Sequence, residues 1–512
     1  MLEHRYGQTE ECQNLKKNVL DWPTFVLTFG FLVVICSTIF LYPNQTEVWL
    51  DQAHTLLMDK IGILYLWVGF LSVLFLCWIA FSRYGRIKLG PKHEKPAFST
   101  FSWISMLFCA GIGGGVIYWG TIEWAYYYAT PPFGLDAGTA EAIEWSATYG
   151  MFHSGPTAWA IYCLPAIPMA YLYHVKGKKI LKISEACQPI LKHHTNGFLG
   201  KAIDLMFMFG LLGASGTTLG LSIPMISAGI HRVLGVPHTY LLDIVILLIC
   251  TIIFSISVYS GLSKGIKRLS DINVYLAIFL LAFVFILGPT VFILKMTTNS
   301  IGLIADHFIR LNTWIDPIMN TGFPEKWTLF YWAWWIVFAP FIGLFIAKIS
   351  RGRTLKQMIL GAVGFGSLGC WLFYSILGNY GLYLQLNDLL QVSTILEVAN
   401  GPEAIVSIIH SLPFGDFIVL LFSVLSIIFI ATTYDTSSYM LAAVTQNQVD
   451  DDPVRWNRLF WAFGLALPPT ALMFIGGLKA LQTVTIIAAL PSVFILVLLA
   501  FSFLRIIDQD RL

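Results

Sequence analysis

The chain has 512 residues, of which 57% are apolar and 12% are charged, and its mean hydropathy is +0.72. This composition excludes a soluble globular protein, and the length allows about a dozen membrane spans of roughly 20 residues each. The net charge of +2 excludes little, because the placement of charge matters more than its sum in a membrane protein. We predict an all-α polytopic protein whose partners are the lipid bilayer and a small solute, with no nucleic acid.

The cysteines and the N-terminal segment add two expectations. The eight cysteines are scattered without a Cys-x-x-Cys pair, so we expect no disulfide, no metal cluster and no cofactor. The segment 1–18 is polar, and no small-residue cleavage site follows the first apolar run. That run is therefore predicted to be a retained span rather than a signal peptide.

Apolar runs separated by polar or Pro/Gly-rich turns divide the whole chain. They fall near residues 22–42, 61–82, 99–129, 139–173, 201–231, 239–258, 269–296, 326–348, 356–381, 415–444, 456–477 and 482–504. The pattern predicts twelve transmembrane helices. Several runs exceed 25 residues, which indicates tilt, breaks or extension beyond the bilayer.

Basic residues set the predicted orientation. They follow every even-numbered run through the eighth, at Arg83, Arg86, Lys88, Lys92, Lys95, then Lys176, Lys178, Lys179, Lys182, then Lys264, Lys267, Arg268, and finally Lys348, Arg351, Arg353 and Lys356. By the positive-inside rule, both termini are predicted to be cytoplasmic, at the plasma (inner) membrane. The segments 301–325 and 385–413 are predicted to be amphipathic helices along the outer surface.

Run three contains four glycines within the five residues 111–115, which would cost a continuous helix about 0.8–1 kcal/mol each relative to alanine. Close helix packing is one explanation, and a break in the helix is the other. Run eight also carries breakers, Pro340 and Gly343, five spans later. We therefore predict inverted repeats formed by runs 3–7 and 8–12, each starting with a broken helix. The chain is predicted to have four parts: an N-terminal part with two peripheral helices (1–98), the first repeat (99–297), a surface helix (298–325) and the second repeat (326–512).

The segment 331–343 in run eight is rich in aromatic rings, namely Trp332, Trp334, Trp335 and Phe338. Their negative π faces suit a quaternary ammonium group, which cannot donate hydrogen bonds. Pro340 removes a backbone donor and could free carbonyls near Trp335 and Ile336 for a ligand. The alternative is that the rings face lipid or a neighbouring helix.

Run four offers Trp159 and Tyr162, three residues apart on one helical face, where they could close an aromatic cage. Their alternative role is an aromatic belt at the membrane interface. His153 in the same run is expected to be a satisfied buried histidine rather than a proton carrier. The adjacent hydroxyls of Thr432 and Thr433 in run ten could bind a hard cation, although threonines in membrane helices commonly bond back to their own carbonyls.

These residues lie in motifs that resemble the betaine/carnitine/choline transporter family, most closely its carnitine/γ-butyrobetaine branch. The most specific motifs are FYWAWW (330–335), AKISRGRT (347–354), GMFHSGPTAWAIY (150–162), GLSKGIKRLSD (261–271) and TPPFGL (130–135). The resemblance spans residues 21 to about 504. It implies inverted five-helix repeats, alternating access, a homotrimer and a zwitterionic or cationic substrate with a methylated head.

The resemblance also implies a substrate site. Trp334 and Trp335 match the family's cage tryptophans, and Trp159 and Tyr162 match its fourth-helix aromatics. Ser154 and Phe338 stand where the family has other aromatic residues, and Gly113 completes the expected substrate-binding set. The glycine stretch lacks the aspartate that choline carriers place at its end, so choline is disfavoured.

Coupling to sodium follows from the same resemblance. The family's sodium site is matched by the hydroxyls of Thr432 and Thr433 and by the carbonyls of Cys109, Ile112 and Phe429, and a second, weaker site by Ser215 and Phe341, with Leu211 in place of a threonine. Sodium-independent carnitine exchangers have an arginine in the seventh helix where this chain has Asn273. We therefore predict a sodium-coupled symporter, with sodium-independent substrate exchange as the alternative.

Two other function classes fit the sequence less well. A membrane enzyme would need a catalytic pair or metal cluster at midplane, and the chain has no HExxH motif. A channel would need a polar or charged ring repeated around a pore. The paired breaks and one aromatic segment favour a carrier, which is not an enzyme.

Overall fold

The computed structural model describes residues 20–111, 113–178, 182–260, 267–447, 453–476 and 478–510. Within these ranges the chain is almost entirely helical. Its β structure there consists of isolated bridges between Leu20 and Gln446 and between Lys88 and Thr354. The all-α prediction is confirmed.

The first half of the chain forms helices α1 (Trp22–Leu41), α2 (Pro43–Phe81), α3 (Thr100–Gly111), α4 (Gly114–Ala129), α5 (Ala140–His153), α6 (Pro156–Ala170), α7 (Ile183–Ala186), α8 (Gln188–Leu191), α9 (Phe198–Leu234), α10 (Tyr240–Ser260) and α11 (Lys267–Leu287). A π-helical turn, Tyr171–Val175, extends α6. Short 3-10 turns occur at Arg83–Arg86, Pro132–Gly134 and Lys192–Asn196.

The second half forms helices α12 (Thr290–Asp306), α13 (Phe308–Thr313), α14 (Leu329–Ile349), α15 (Leu355–Phe373), α16 (Asn379–Leu386), α17 (Val392–Val398), α18 (Gly401–His410), α19 (Gly415–Val444), α20 (Arg455–Gly464), α21 (Leu467–Ile475) and α22 (Leu478–Gln509). The π-helical turns Pro324–Thr328 and Tyr374–Gly378 precede α14 and join α15 to α16.

In the described ranges, nine helical stretches are long and apolar enough to cross a membrane, and a bent pair formed by α11 and α12 makes a tenth. Runs three and four do not count in that total because each is divided into two shorter helices, α3 with α4 and α5 with α6. The twelve predicted runs thus have helical counterparts in order, and the number of spans stays a prediction.

Run three is broken as predicted. Helix α3 ends at Gly111, Gly113 is extended at φ −106° and ψ −178°, and α4 begins at Gly114. Run four is also divided into two helices, and this second break was not predicted. Its break lies at Ser154 and Gly155, directly before Pro156, a residue that suits the first position of a new helix.

Run eight corrects the prediction of a broken helix in the second repeat. Helix α14 continues from Leu329 to Ile349 with Pro340 inside it. Proline removes one backbone hydrogen bond, and the surrounding helices bury nearly the whole of α14, which keeps the rest of the helix in place. Gly343 serves close packing instead, because an added Cβ would lie 2.6 Å from Cγ of Pro165 on α6.

Run seven differs from its predicted course as well. It was predicted to extend to residue 296, but α11 ends at Leu287 and the chain turns by 109° at Gly288 and Pro289. Helix α12 then covers Thr290–Asp306, so the predicted boundary at residues 297 and 298 falls inside it. The surface helix expected at 298–325 is replaced by the end of α12, the short α13 and a loop.

Two glycines on α15 give a matched test of the packing around the fourth-run aromatics. Gly366 is buried, and a Cβ there would lie 2.2 Å from Cδ2 of Trp159, whereas a Cβ at Gly364 would meet nothing within 4 Å. We expect Gly366→Ala to destabilise the protein by about 1–3 kcal/mol through overpacking. Gly364→Ala should be neutral or stabilising by up to about 1 kcal/mol. Thermal unfolding of both variants in detergent measures the difference, and equal midpoints would contradict the packing seen here.

Candidate functional site

A central cavity of about 80 Å³ lies where the breaks of runs three and four face α14. Its lining residues come from both halves of the chain: Gly113, Gly115, Val116, Trp119, Ser154, Tyr162, Thr218, Tyr331, Trp334, Trp335, Phe338, Phe341, Ile342, Tyr374 and Thr433.

Helix α14 supplies one wall as a stripe of large side chains. Its lining residues recur at steps of three and four, which places them on one face of a helix: Tyr331, Trp334, Trp335, Phe338, Phe341 and Ile342. Almost every residue of α14 is buried, so these rings face protein and cavity rather than lipid. The alternative of a lipid-facing belt is thereby excluded for this segment.

Most of the predicted substrate residues line this cavity together. They are Gly113, Ser154, Tyr162, Trp334, Trp335 and Phe338. The ring of Tyr162 lies 4.6 Å from that of Trp335 at an angle of 61°, which joins α6 to α14 across the cavity wall. The break in run three brings Gly113 to the same space.

Trp159 lies behind the cavity rather than on its wall. It is completely buried, its ring centroid is 6.4 Å from that of Trp335, and it packs closely over Gly366. The expected direct contact of Trp159 with a ligand is therefore corrected to a supporting contact beneath Trp335 and Tyr162.

Three aromatic residues of the cavity wall, Trp119, Tyr331 and Tyr374, were not predicted to line it. The hydroxyls of Tyr331 and Tyr374 donate to Oε2 of Glu123 on α4, at 2.6 and 2.9 Å. Glu123 is itself a carboxylate inside an apolar run, which is a sequence signal for a functional site in a membrane protein. The carboxylate of Glu123 alone therefore indicates a functional role for this side of the cavity.

The predicted sodium ligands of run ten form a compact group of oxygens. The hydroxyls of Thr432 and Thr433 both donate to the carbonyl of Phe429, at 2.9 and 3.0 Å. This back-bonding is the alternative described for threonines in membrane helices, and it also gathers three oxygens at one place. Thr433 lines the cavity, and a Cβ on Gly113 would lie 3.4 Å from its Oγ1.

The other predicted ion ligands are less well grouped. Ile112 and the side chain of Cys109 lie outside the described residues. Phe341 lines the cavity, whereas Ser215 does not; the carbonyl of Ser215 accepts a hydrogen bond from the hydroxyl of Tyr434. The structure therefore does not place Ser215 and Phe341 on the cavity wall together.

Asn273 is buried on α11, which packs against α19. In the part of the chain that the structure describes, its Oδ1 atom has no hydrogen-bond partner. The position where exchangers carry an arginine thus holds a neutral side chain in the core, next to the helix that bears the two threonines.

Comparisons with known protein sequences found one matching family and relatives of similar length. A sequence profile described as BCCT, the betaine/carnitine/choline family transporter, matches residues 23–512. A carnitine transporter of Acinetobacter baumannii is 36% identical over 445 residues, which cover 86% of this chain and 80% of the relative. The uncharacterized transporter YeaV of Escherichia coli strain K12 is 36% identical over 436 residues, which cover 85% and 90%.

Among solved structures, a Na⁺-coupled sialic acid symporter in a substrate-bound outward-open state aligns with 87% of this chain and 82% of its own. The alignment has a TM-score of 0.43 and 12% sequence identity.

Proposed function

The chain belongs to the betaine/carnitine/choline transporter family, and on that premise we propose that it is a sodium-coupled symporter of a small betaine-type zwitterion with a methylated ammonium head. The observation that carries this proposal is the aromatic cavity itself. The rings of Trp334, Trp335 and Tyr331 line one cavity, and a ring face that meets a cation there attracts it by about 0.5–2 kcal/mol.

A zwitterion also needs a partner for its carboxylate. The N-terminus of α4 opens onto the cavity at Gly113 and Gly115, and the first turn of a helix has free backbone N–H groups and a positive dipole end. We infer that the carboxylate binds at this end and the ammonium group at the rings of α14. The two chemical ends of the substrate are then matched by two different elements.

Sodium is the proposed coupling ion. Hard cations prefer oxygen ligands, and the Phe429 carbonyl already holds both threonine hydroxyls within 3.0 Å. On ion binding, the hydroxyl protons would turn away and leave three lone pairs directed at the ion. The neutral side chain of Asn273 supports sodium coupling, because it provides no fixed positive charge in the place of the ion.

A sodium-independent exchanger of carnitine type is the second candidate. The carnitine transporter relative, with 36% identity over most of both chains, favours a substrate of this class without specifying the coupling. Uptake into proteoliposomes loaded with sodium-free buffer, with and without internal counter-substrate, separates the two candidates. Net accumulation that requires external sodium supports symport, and accumulation that requires only counter-substrate supports exchange.

We also propose that both termini are cytoplasmic, in the plasma (inner) membrane, and that the protein forms a homotrimer. The proposed orientation is supported by contacts that join the basic segment after run two to the basic segment after run eight. Leu89 N–H donates to the carbonyl of Arg353, and Arg351 pairs with Glu94 at 2.7 Å. The two ends of the helical core lie beside basic residues too, since Asp510 pairs with Lys176 and Asp21 with Lys201. The positive-inside rule places these basic segments in the cytoplasm.

The first prediction from the proposed function concerns the cage. Trp335→Ala should abolish uptake while folded protein remains in the membrane, because the lost ring lies on the cavity wall against Tyr162. Trp67→Ala is the matched control, since Trp67 is 47% exposed on the outer surface. Uptake assays and gel filtration of both variants test this. Uptake by Trp335→Ala with unchanged apparent affinity would assign that tryptophan a purely structural role.

The second prediction concerns the ion. The double variant Thr432→Val and Thr433→Val should raise the sodium concentration for half-maximal uptake by about tenfold or more, because lost oxygen ligands are not replaced in an enclosed site. Thr297→Val on α12 is the control, since its hydroxyl also bonds back to a carbonyl of its own helix. An unchanged sodium requirement in the double variant would remove these hydroxyls from the ion site.

The third prediction separates symport from exchange. Asn273→Arg places a fixed positive charge on α11, beside α19. We expect the variant to lose its dependence on external sodium and to retain some substrate exchange. Asn273→Gln keeps the side chain neutral and should keep sodium dependence. If the arginine variant still requires sodium for exchange, Asn273 is not next to the coupling ion.

A further inference from the structure

Glu123 on α4 is a fully buried carboxylate directly behind the cavity wall. Its Oε2 accepts hydrogen bonds from the hydroxyls of Tyr331 and Tyr374, whose rings line the cavity, and its Oε1 accepts one from Tyr127. The donors come from α14, from the π turn after α15 and from α4 itself. Two cavity rings are thus tied to one anionic group.

The only basic side chain paired with Glu123 in the described residues is His153, whose Nδ1 lies 3.2 Å from Oε1 and 3.0 Å from the Tyr127 hydroxyl. Its Nε2 lies 3.1 Å from the hydroxyl of Thr328. That hydroxyl has no other hydrogen-bond partner within the described ranges.

Three phenol hydroxyls thus donate to the Glu123 carboxylate. No lysine or arginine of the described chain forms an ion pair with Glu123. A buried charge without a fixed counter-ion is unfavourable, and a cation in the cavity would offset that cost.

We propose that Glu123 determines the charge selectivity of the cavity and acts through Tyr331 and Tyr374. A phenol that donates to an anion gains electron density, which strengthens the attraction of its π face for a cation. The ring of Tyr331 is nearly parallel to that of Trp334, at 6.3 Å and 17°, so the polarised ring extends the tryptophan wall. This inference rests on the proposed function, since it takes the substrate's methylated ammonium group as the ligand of the rings.

The test compares two probes of the same shape on the purified full-length protein. One is 4-trimethylammoniobutyrate, and the other is its carbon isostere, in which a tert-butyl group replaces the trimethylammonium group. In the parent protein we expect the ammonium probe to bind much more tightly. In Glu123→Gln, which keeps the side chain's shape, the affinity for the ammonium probe should fall about tenfold or more, and that for the isostere should change less than about twofold.

Asp435→Asn is the matched control. Asp435 is also buried and accepts a hydrogen bond from Ser257 at 2.6 Å, but it does not line the cavity or contact Glu123's tyrosines. Its replacement should leave the ratio of the two affinities unchanged. An equal loss in that control would mean that any buried carboxylate sets the ratio, and would overturn the inference.

The remaining outcomes are also decisive. Equal weakening of both probes by Glu123→Gln would show a packing role only, and no change in either would show that the charge is not felt in the cavity; both results overturn the inference and leave the proposed function standing. A parent protein that binds neither probe overturns the proposed function and this inference with it.

If Glu123→Gln does not fold, the double variant Tyr331→Phe and Tyr374→Phe takes its place. It keeps both rings and removes both hydrogen bonds to Oε2, and it should lower the affinity ratio by about threefold or more. An unchanged ratio in this variant overturns the route through the tyrosines.

Discussion

The close packing of α14 against α6 is the constraint on which the cavity depends. Gly343 allows it, because any side chain there would overlap Pro165 and approach the backbone nitrogen of Ala166 within 3.0 Å. With α14 held in the centre of the protein, its aromatic stripe cannot turn toward lipid. The rings of Trp334 and Trp335 are therefore fixed before a ligand arrives, which reduces the ordering cost of binding.

The breaks in runs three and four bring helix ends to the cavity wall. A continuous helix hides its backbone groups, whereas a helix end at membrane depth exposes them where they line a cavity. Gly113 at the start of α4 and Ser154 at the end of α5 both lie on the cavity wall. Most of the aromatic wall is carried by the unbroken α14, and the exposed backbone by the two broken runs. The two ends of the proposed zwitterion would therefore meet different elements.

Much of this arrangement could be predicted from the sequence, because apolar length, glycine clusters and aromatic spacing act locally. The helical fold, the break at 111–115 and the aromatic cavity residues Trp334, Trp335, Phe338 and Tyr162 follow from such patterns, whereas Gly113, Ser154 and Phe341 were expected only from the family resemblance. The break expected at Pro340 was wrong, since tertiary packing on all sides overrides the loss of one backbone hydrogen bond. The ring of tyrosines around Glu123 could not be derived, because its members are up to 251 positions apart in the chain. Trp159 was predicted to contact the ligand, but it lies behind the cavity wall. Residue spacing identifies which residues share a helix face, but not how far that face lies from the cavity.

The position of Gly113 connects the two proposed sites. It lines the cavity, and it lies so near α19 that an added Cβ would be in van der Waals contact with the Thr433 hydroxyl. An ion held by the oxygens of α19 would therefore share a wall with the substrate, and the shared element would be the start of α4. Because that element is a break in a helix, its backbone is the part of the wall that can change shape at the least cost. An ion and a substrate would then affect each other's binding without a long-range path. A change in the backbone conformation of Gly113 that favours binding at one site alters the other site directly, and thermodynamic linkage makes the effect reciprocal.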